Sequence, residues 1–299
     1  MRKKEQTYSM YMFKQKSVPY LFLAPNMLIF TIYIIVPAIM GIYYSFTRFD
    51  GLNDPVFIGF ANYVELFTQD DKFLKALFNT IRYVAVSVPL TYVISLALAL
   101  IIIQEIKAKG FFRAIYYWPV MISFIVVGVM WQWILGDTFG VFNFILDKIG
   151  IGRITTLTNK NFAWWGAVFI MVWSKSGYYM IMFIGGLLSI PQQLYEAAEI
   201  DGANRLQKFF LITLPVIKPT SLLVIILSTM QIFKVYPLIV AFTGGGPYDA
   251  TRFIVQHVYE AAFQSYEVGY ASAMSVVMLV VVTAFSGVNF LINKGGNDE

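Results

Sequence analysis

The stretch LFNTIRYVAVSVPLTYVISLALALIII, residues 77–103, is 27 residues long and contains a single charged residue, Arg82. At about 1.5 Å per residue, a helix of this length spans roughly 40 Å, which exceeds the roughly 30 Å hydrocarbon layer of a bilayer. No water is available in that layer to satisfy backbone N–H and C=O groups, so a crossing segment must be helical. The stretch therefore predicts a transmembrane helix.

Five more apolar runs of similar length lie on either side of this stretch. They span residues 20–46, 114–135, 162–188, 221–242 and 269–292. The six runs together contain only three charged residues, Arg82, Lys175 and Lys234. The whole chain is 58% hydrophobic and 13% charged, whereas a soluble domain carries about a quarter charged residues. The sequence predicts an all-α polytopic membrane protein of six transmembrane helices.

The runs divide the chain into one membrane domain with short flanking segments. Residues 1–19 form a polar N-terminal segment, residues 20–292 the transmembrane domain, and residues 293–299 a short tail. The first run is much longer than the apolar region of a signal peptide, and no small-residue cleavage site follows it, so we expect an uncleaved anchor.

The distribution of basic residues predicts the orientation of the chain. If both termini are cytoplasmic, the inner segments carry 12 of the 22 Lys and Arg residues, and the outer loops carry 10 of the 17 Asp and Glu residues. Basic residues are enriched on the cytoplasmic side of membrane proteins. We therefore expect cytoplasmic N- and C-termini, with Lys148, Arg153 and Lys160 outside.

Composition also excludes several classes of function. The net charge of +5 is spread over short loops and one tail, which does not make the basic face that nucleic acid requires. With no cysteine and one histidine, His257, no thiolate or His-rich metal site and no His-based triad is available. Ser174 and Lys175 could be imagined as a nucleophile pair, but no oxyanion donors accompany them. We expect no catalytic residue and no metal site.

The longest inner connection, residues 189–220, reads SIPQQLYEAAEIDGANRLQKFFLITLPVIKPT. Pro191 suits the first turn of a helix, and Asp201-Gly202 supplies a turn. A second helix then follows, which we expect Pro215 and Pro219 to end. The predicted result is two short helices joined by a sharp turn at the cytoplasmic surface.

Small residues in the first of these helices and its turn allow another surface to approach the backbone closely, as when a helix docks in a groove. They are Ala197, Ala198, Gly202 and Ala203. The alternative is an amphipathic helix that rests on lipid. The acidic residues Glu196, Glu199 and Asp201 suit an anionic leaflet poorly.

The same loop matches the signature E-A-A, three residues, G, nine residues, I-x-L-P. The matching positions are Glu196, Ala197, Ala198, Gly202, Ile212, Leu214 and Pro215. On this motif the chain resembles the membrane subunits of ABC importers, in the carbohydrate-uptake branch similar to the maltose and glycerol-phosphate permeases. Five other segments resemble that branch and extend the similarity over roughly residues 19–291: YLFLAPNMLIF, FIGFANYVELF, NTIRYV, FFRAIYYWPV and TGGGP.

The resemblance implies a type I importer permease fold that forms half of a translocation pathway for a sugar or oligosaccharide. It makes the loop, including Asp201 and Ala203, the coupling segment that docks on a separate ATPase. It also implies the partners: a second permease subunit, an ABC ATPase dimer, an external solute-binding protein, and the lipid of a bacterial or archaeal cytoplasmic membrane. ATP and Mg²⁺ would bind the ATPase, since this chain has no G-x-x-x-x-G-K-[ST] phosphate loop.

Two lysines within the predicted spans are candidate pathway residues, because charges inside a membrane are costly and usually face a cavity. Transporters hold substrate near the midplane, and neighbouring aromatic rings could stack on sugars. The candidate set is Trp173, Lys175, Tyr178, Tyr179, Gln231, Lys234 and Tyr236. Alternatively, the lysines pair with an acid of the partner subunit or with helix-end carbonyls. We expect Arg82, near the start of its span, to extend to the outer surface.

A self-contained ion-coupled transporter is the competing function. Such a transporter ordinarily uses membrane-embedded carboxylates to bind sodium or relay protons. All six runs lack Asp and Glu, which favours the ABC importer subunit.

Overall fold

The computed structural model describes Val18 and residues 20–104 and 108–294, with side chains of the last helix described as far as residue 287. The predicted cytoplasmic segment 1–19, apart from Val18, and the part of the predicted tail after Lys294 lie outside the described residues. The described chain forms two compact units. The smaller unit comprises the residues up to Glu65 and Ala261–Val276, and the larger comprises Leu66–Glu260 with the residues from Val277 onward.

Helices dominate both units. In chain order the helices are α1 (Tyr20–Tyr44), α2 (Ala61–Thr68), α3 (Asp71–Ile103), α4 (Lys109–Tyr117), α5 (Phe124–Ile134), α6 (Val141–Lys148), α7 (Lys160–Leu188), α8 (Gln192–Ile200), α9 (Arg205–Val216), α10 (Lys218–Phe233), α11 (Tyr236–Phe242), α12 (Ile254–Phe263) and α13 (Val268–Lys294). Two short strands, β1 (Thr47–Arg48) and β2 (Val56–Phe57), pair antiparallel.

Four described helices are long and apolar enough to cross a membrane: α1, α3, α7 and α13 as far as Gly287. Two bent pairs bring the possible number of spans to six if each pair counts as one: Lys109–Met121 with Phe124–Ile134, bent by 99°, and Arg205–Val216 with Lys218–Phe233, bent by 68°. The predicted six spans are reached only when each bent pair is counted as one span, and those two spans are not the continuous helices that hydropathy predicts.

The third and fifth predicted runs are broken for identifiable reasons. In run 114–135 a 3-10 turn, Trp118–Met121, carries Pro119, and Ile122 is extended before α5 begins. In run 221–242 the helix ends at Phe233, and α11 restarts at Tyr236 with a proline in its first turn. That proline, Pro237, has no N–H to donate to the carbonyl four residues earlier. The prediction of an unbroken helix through Lys234 was wrong.

The prolines of the coupling segment also differ from their predicted positions. Pro191 is the N-cap of α8 and lies just before its first turn. Pro215 lies inside α9, two residues after the end of a widened π-helical turn, Phe209–Thr213. Pro219 lies in the first turn of α10. The chain bends at Ile217, between the two prolines that we expected to end the helix.

In the larger unit, α3 packs along α7, and close contacts at glycines bring further helices together. The Tyr83 hydroxyl of α3 donates to the carbonyl of Ala167 at 3.1 Å. A Cβ on Gly177 of α7 would lie 1.9 Å from the carbonyl oxygen of Tyr116, so α4 reaches the α7 backbone. Likewise, a Cβ on Gly128 of α5 would lie 2.7 Å from an α11 carbonyl.

Apolar side chains in this unit form two clusters. The larger one lies around Tyr83, Trp164 and Phe242. The second, which we call the inner cluster, contains Leu96, Ala99, Ile102, Tyr179, Met180, Phe183, Ile184, Leu187, Ile190, Ile217 and Val224. It joins the C-terminal ends of α3 and α7 to the start of α10. Side chains of the coupling segment, residues 189–220, pack against this cluster.

In the smaller unit, α1 has no buried side chain in its most apolar window. The β1–β2 hairpin follows it and is held by Asn62, whose amide donates to the carbonyls of Ser45 at 2.9 Å and Thr47 at 3.0 Å. Gly269 of α13 approaches so closely that a Cβ there would lie 2.1 Å from the Thr47 carbonyl oxygen.

Candidate functional site

The coupling segment, residues 189–220, presents α8 to its surroundings. None of the side chains of α8 is buried, and Ile200 at its C-terminal end is 87% exposed. Leu206 and Phe210 of α9 are also exposed. These exposed apolar side chains are available to contact another surface.

A glycine turn ends α8. Gly202 has a φ of +78°, a backbone conformation that glycine adopts at little cost. The N–H of Ala203 donates to the carbonyl of Ala198 at 2.8 Å, and the N–H of Gly202 donates to that of Glu199 at 3.1 Å. These two bonds make a Schellman motif. No atom of the described residues lies within 4 Å of where a Gly202 Cβ would be, so the turn is open to a partner.

Three side-chain interactions fix α9 and tie it to α8. Asn204 caps α9 in a capping box with Gln207, through bonds of 2.8 and 2.9 Å. The Lys208 ammonium lies 3.4 Å from the Glu199 carboxylate. The hydroxyls of Tyr195 and Thr213 are 2.9 Å apart and share a hydrogen bond.

The structure divides the predicted coupling residues between two positions. Glu196, Ala197, Asp201 and Gly202 are exposed, and Ala198 and Ala203 are partly exposed. In contrast, Ile212 and Leu214 pack against the inner cluster, and the adjacent Pro215 is exposed. The first group can contact another protein, whereas Ile212 and Leu214 anchor α9 to the membrane helices.

Sequence reasoning missed the residues that join the two helices, Tyr195 and Lys208, and the cap at Asn204. The N-x-x-Q spacing of Asn204 and Gln207 is a capping-box signal that would have located the start of α9. The Tyr195–Thr213 bond joins residues 18 positions apart and has no comparable local signal.

The candidate pathway residues lie on α7 and around the break between α10 and α11. On α7, the Lys175 ammonium lies 4.2 Å from the centre of the Phe124 ring, and Trp173 packs edge-on against Trp131 at 5.5 Å. Among the described residues, no hydrogen bond or ion pair involves the Lys175 ammonium. Lys175 is therefore held by a cation–π contact, which is worth more where water is scarce.

The remaining candidates differ in accessibility. Tyr178 is 40% exposed, whereas Tyr179 is buried in the inner cluster. Gln231 and Lys234 are exposed at the end of α10, and the Tyr236 ring lies 5.1 Å from that of Tyr259. No described contact joins Lys175 to Lys234. A binding surface from this chain can thus use Lys175, Tyr178, Gln231 and Lys234, while Tyr179 has a packing role.

At the end of the larger unit opposite the coupling segment, the TGGGP segment forms a tight turn after α11. The Thr243 and Thr251 hydroxyls are 2.7 Å apart, and the Gln256 amide donates to the Gly244 carbonyl at 2.9 Å.

The single histidine of the chain, His257, lies 3.1 Å from the Asp70 carboxylate. No group of three His, Cys, Asp or Glu residues in the described chain could hold a metal ion. The Arg82 guanidinium lies 4.2 Å from the centre of the Trp164 ring.

The loop after α5 is organised by one carboxylate. Asp137 accepts hydrogen bonds from the backbone N–H groups of Thr156, Leu157 and Thr158 and from the Thr156 hydroxyl. Partial burial raises the pKa of Asp137, but the bonds from Thr156 and Thr158 outweigh it and lower the pKa to about 2. The carboxylate is therefore charged at every physiological pH.

Residues 92–295 match the family described as binding-protein-dependent transport system inner membrane component. The chain belongs to this family. Two curated relatives illustrate the similarity to this inner membrane component. A probable starch degradation products transport system permease protein of Thermoanaerobacterium thermosulfurigenes is 32% identical, over 92% of this chain and 93% of the relative. A trehalose/maltose transport system permease protein of Thermococcus litoralis is 31% identical, over 96% and 97%.

Solved structures share the fold of this inner membrane component. A chain from a bacterial ABC transporter involved in the import of the acidic polysaccharide alginate has a TM-score of 0.83 at 26% identity, and the match covers 97% of this chain and 99% of that one. A chain of the alginate transporter in complex with its alginate pentasaccharide-bound periplasmic protein has a TM-score of 0.79 at 26% identity, over 93% and 94%.

Family membership confirms three predictions made from the sequence. The chain is an ABC importer membrane component of the kind found in carbohydrate-type systems, its fold is the all-α permease fold, and it is a multi-pass membrane protein. The family supports a permease subunit over the ion-coupled secondary transporter.

Proposed function

We propose that this chain is one half of the pore of an ATP-driven importer for a sugar or oligosaccharide. The observation that carries the proposal is the coupling segment: no side chain of α8 is buried, and α9 anchors this helix to the inner cluster that joins α3, α7 and α10. A helix resting on lipid requires no such anchor. The names of the relatives, which concern starch products and trehalose or maltose, support a carbohydrate substrate.

The partners follow from this role. The exposed group Glu196, Ala197, Ala198, Asp201 and Gly202 would seat α8 in a groove of a separate ABC ATPase. ATP and Mg²⁺ would bind that ATPase, and the chain itself would contribute no catalytic residue. A second permease subunit would complete the pore, and an external solute-binding protein would deliver the substrate.

The orientation is part of the proposal. Because α8 must meet a cytoplasmic ATPase, the N- and C-termini would be cytoplasmic, in a bacterial or archaeal cytoplasmic membrane. The positive-inside distribution of Lys and Arg supports this orientation. The loop organised by Asp137 and the TGGGP turn would then face outward, and the solute-binding protein would dock near the TGGGP turn.

The proposed mechanism is alternating access. Closure of the ATPase dimer on ATP would draw the two coupling helices together and open the cavity outward, and hydrolysis would return the cavity to the inward-open state. ATP shifts this equilibrium only because it binds the two states with different affinity. Lys175 and Lys234, with Trp173, Tyr178, Gln231 and Tyr236 nearby in sequence, would line the path that the solute takes.

Reconstitution tests the function directly. The chain is purified in complex with its partner permease and ATPase, placed in proteoliposomes with the cognate solute-binding protein, and assayed for uptake of labelled maltodextrins and other oligosaccharides. We expect uptake to require ATP together with the solute-binding protein, and to persist when ionophores collapse all ion gradients. Uptake that needs an ion gradient and proceeds without ATP would establish the secondary-transporter alternative.

A further inference from the structure

We propose that the hydrogen bond between Tyr195 and Thr213 is the joint that makes α8 and α9 move as one body, so that displacement of α8 reaches the membrane helices. The inference rests on the proposed function and names two positioning residues for it. Neither residue belongs to the exposed group that would touch the ATPase.

The covalent link between the two helices is a single short turn. Residues 201–204 contain the Gly202 turn, whose backbone conformation is set by two hydrogen bonds to the end of α8. Without further contacts, α8 could rotate about this turn when a partner pushed on it. Two side-chain interactions cross from α8 to α9: the Lys208–Glu199 ion pair and the Tyr195–Thr213 bond.

The two crossing interactions differ in strength. The Glu199 side chain is 75% exposed, and an ion pair that is open to water holds a geometry weakly. Thr213, in contrast, is 5% exposed, and Tyr195 packs against the inner cluster. A hydrogen bond in this sheltered position has little competition from water. The Tyr195–Thr213 bond is therefore the stronger constraint. The Thr213 hydroxyl also donates to the Lys208 carbonyl at 3.3 Å, so it keeps a partner within α9 when the Tyr195 hydroxyl is removed.

Thr213 also lies where a push on α9 would be transmitted. It is the last residue of the π-helical turn Phe209–Thr213, and such turns are frequent at functional sites. Its carbonyl accepts from the N–H of Ile217 at 3.1 Å, and the Ile217 carbonyl accepts from Ser221 of α10 at 2.8 Å. Ile217 is buried and occupies the 68° bend between α9 and α10. The chain of contacts thus runs from α8 through Tyr195, Thr213 and Ile217 to α10.

The test measures solute imported per ATP hydrolysed in proteoliposomes. Tyr195→Phe and Thr213→Val each delete the bond with little change of shape. Thr213→Val also removes the bond to the Lys208 carbonyl, so Tyr195→Phe isolates the bond between the two helices. Tyr63→Phe is the matched control, because its hydroxyl donates to Ser45 at 2.7 Å in a part of the chain outside the coupling segment. We expect the two coupling variants to retain ATPase binding and hydrolysis but to import about two- to tenfold less solute per ATP, the factor that loss of one neutral hydrogen bond corresponds to. Thr213→Ser, which keeps the hydroxyl, should restore the ratio.

The double variant Tyr195→Phe/Thr213→Val should import no less solute per ATP than Thr213→Val alone, because the interaction that Tyr195→Phe removes is already lost in Thr213→Val. A wild-type ratio in both single variants, or an equal fall in Tyr63→Phe, would overturn the inference while leaving the proposed function intact. If the wild-type complex itself showed no ATP-dependent import, the proposed function would fail instead.

Discussion

At the residue scale, charged side chains that are partly removed from water lie against groups that stabilise their charge. Arg82 and Lys175 both lie against aromatic rings, and Asp137 accepts several backbone N–H bonds. The sequence located Arg82 and Lys175 because a charge is conspicuous in an apolar run. It could not supply their ring partners, Trp164 and Phe124, which are distant in sequence and meet only when the helices pack.

The pathway assignment predicts a specific effect of removing the lysine charge. Lys175→Met keeps the length of the side chain and its apolar stem but loses the cation. We expect oligosaccharide uptake to require at least about tenfold more substrate-loaded binding protein for half-maximal rate, consistent with loss of one charge-assisted hydrogen bond of about 1.5–3 kcal/mol. The complex should assemble normally. Lys148→Met, which removes a cation 5.7 Å from the Phe144 ring outside the spans, is the control. A complex that dissociates in Lys175→Met would instead indicate an ion pair with the partner subunit.

The hydrogen bonds to Asp137 predict a pH-dependent contribution to stability. Its pKa of about 2 in the folded chain lies below the roughly 3.9 of an unfolded chain, so the stabilisation is present above pH ~4 and is lost as pH falls toward 2. Thermal unfolding should show that Asp137→Asn has a lower Tm than wild type at pH 7, and that the difference closes as the pH falls through this window. A difference that is independent of pH would contradict this assignment.

At the element scale, the sequence predicted which segments are helices but not where two of them break. Hydropathy averages over a window and is blind to a single residue without an N–H, although Pro119 and Pro237 were visible signals. The coupling segment was predicted as two helices with a glycine turn, and the structure has that arrangement. The sequence could not separate Ile212 and Leu214, which face inward, from the exposed residues of the same motif, because that division is set by packing on the inner cluster.

The close approach of α4 to α7 predicts contrasting effects of two glycine substitutions on the same helix. Gly177→Ala places a Cβ 1.9 Å from the Tyr116 carbonyl oxygen, whereas at Gly185 nothing lies within 4 Å. We expect Gly177→Ala to destabilise the chain by about 1–3 kcal/mol, the usual cost of overpacking. Gly185→Ala should be neutral or slightly stabilising, because alanine favours a helix interior. Tm values of the two purified variants that do not differ would show that α4 does not pack on the α7 backbone.

At the scale of the whole molecule, hydropathy and the distribution of basic residues predicted a six-span membrane protein, and family membership confirms the class. The orientation of the termini stays a prediction.

Because the chain contains no cysteine, single introduced cysteines give an unambiguous assay of this orientation. Phe139 and Ile200, 93% and 87% exposed, are on opposite sides in the proposed topology. In cells that express the permease without the ATPase, an impermeant maleimide should label Phe139→Cys, but Ile200→Cys only after lysis. Labelling of both from outside would contradict the topology.

The central claim is that α8 couples this chain to an ATPase through the Gly202 turn. The most direct measurement is ATP hydrolysis stimulated by loaded binding protein, in proteoliposomes that contain the assembled complex, for Gly202→Asp and Gly152→Asp. Both glycines have a positive φ, +78° and +81°, and no atom of the described residues lies within 4 Å of where a side chain would begin, so both variants carry a similar backbone strain of about 1–2 kcal/mol. Only Gly202 lies in the proposed docking surface. The account predicts that Gly202→Asp loses stimulation by at least about tenfold, the equivalent of 1.4 kcal/mol, while Gly152→Asp retains it. Full stimulation in Gly202→Asp would contradict the account.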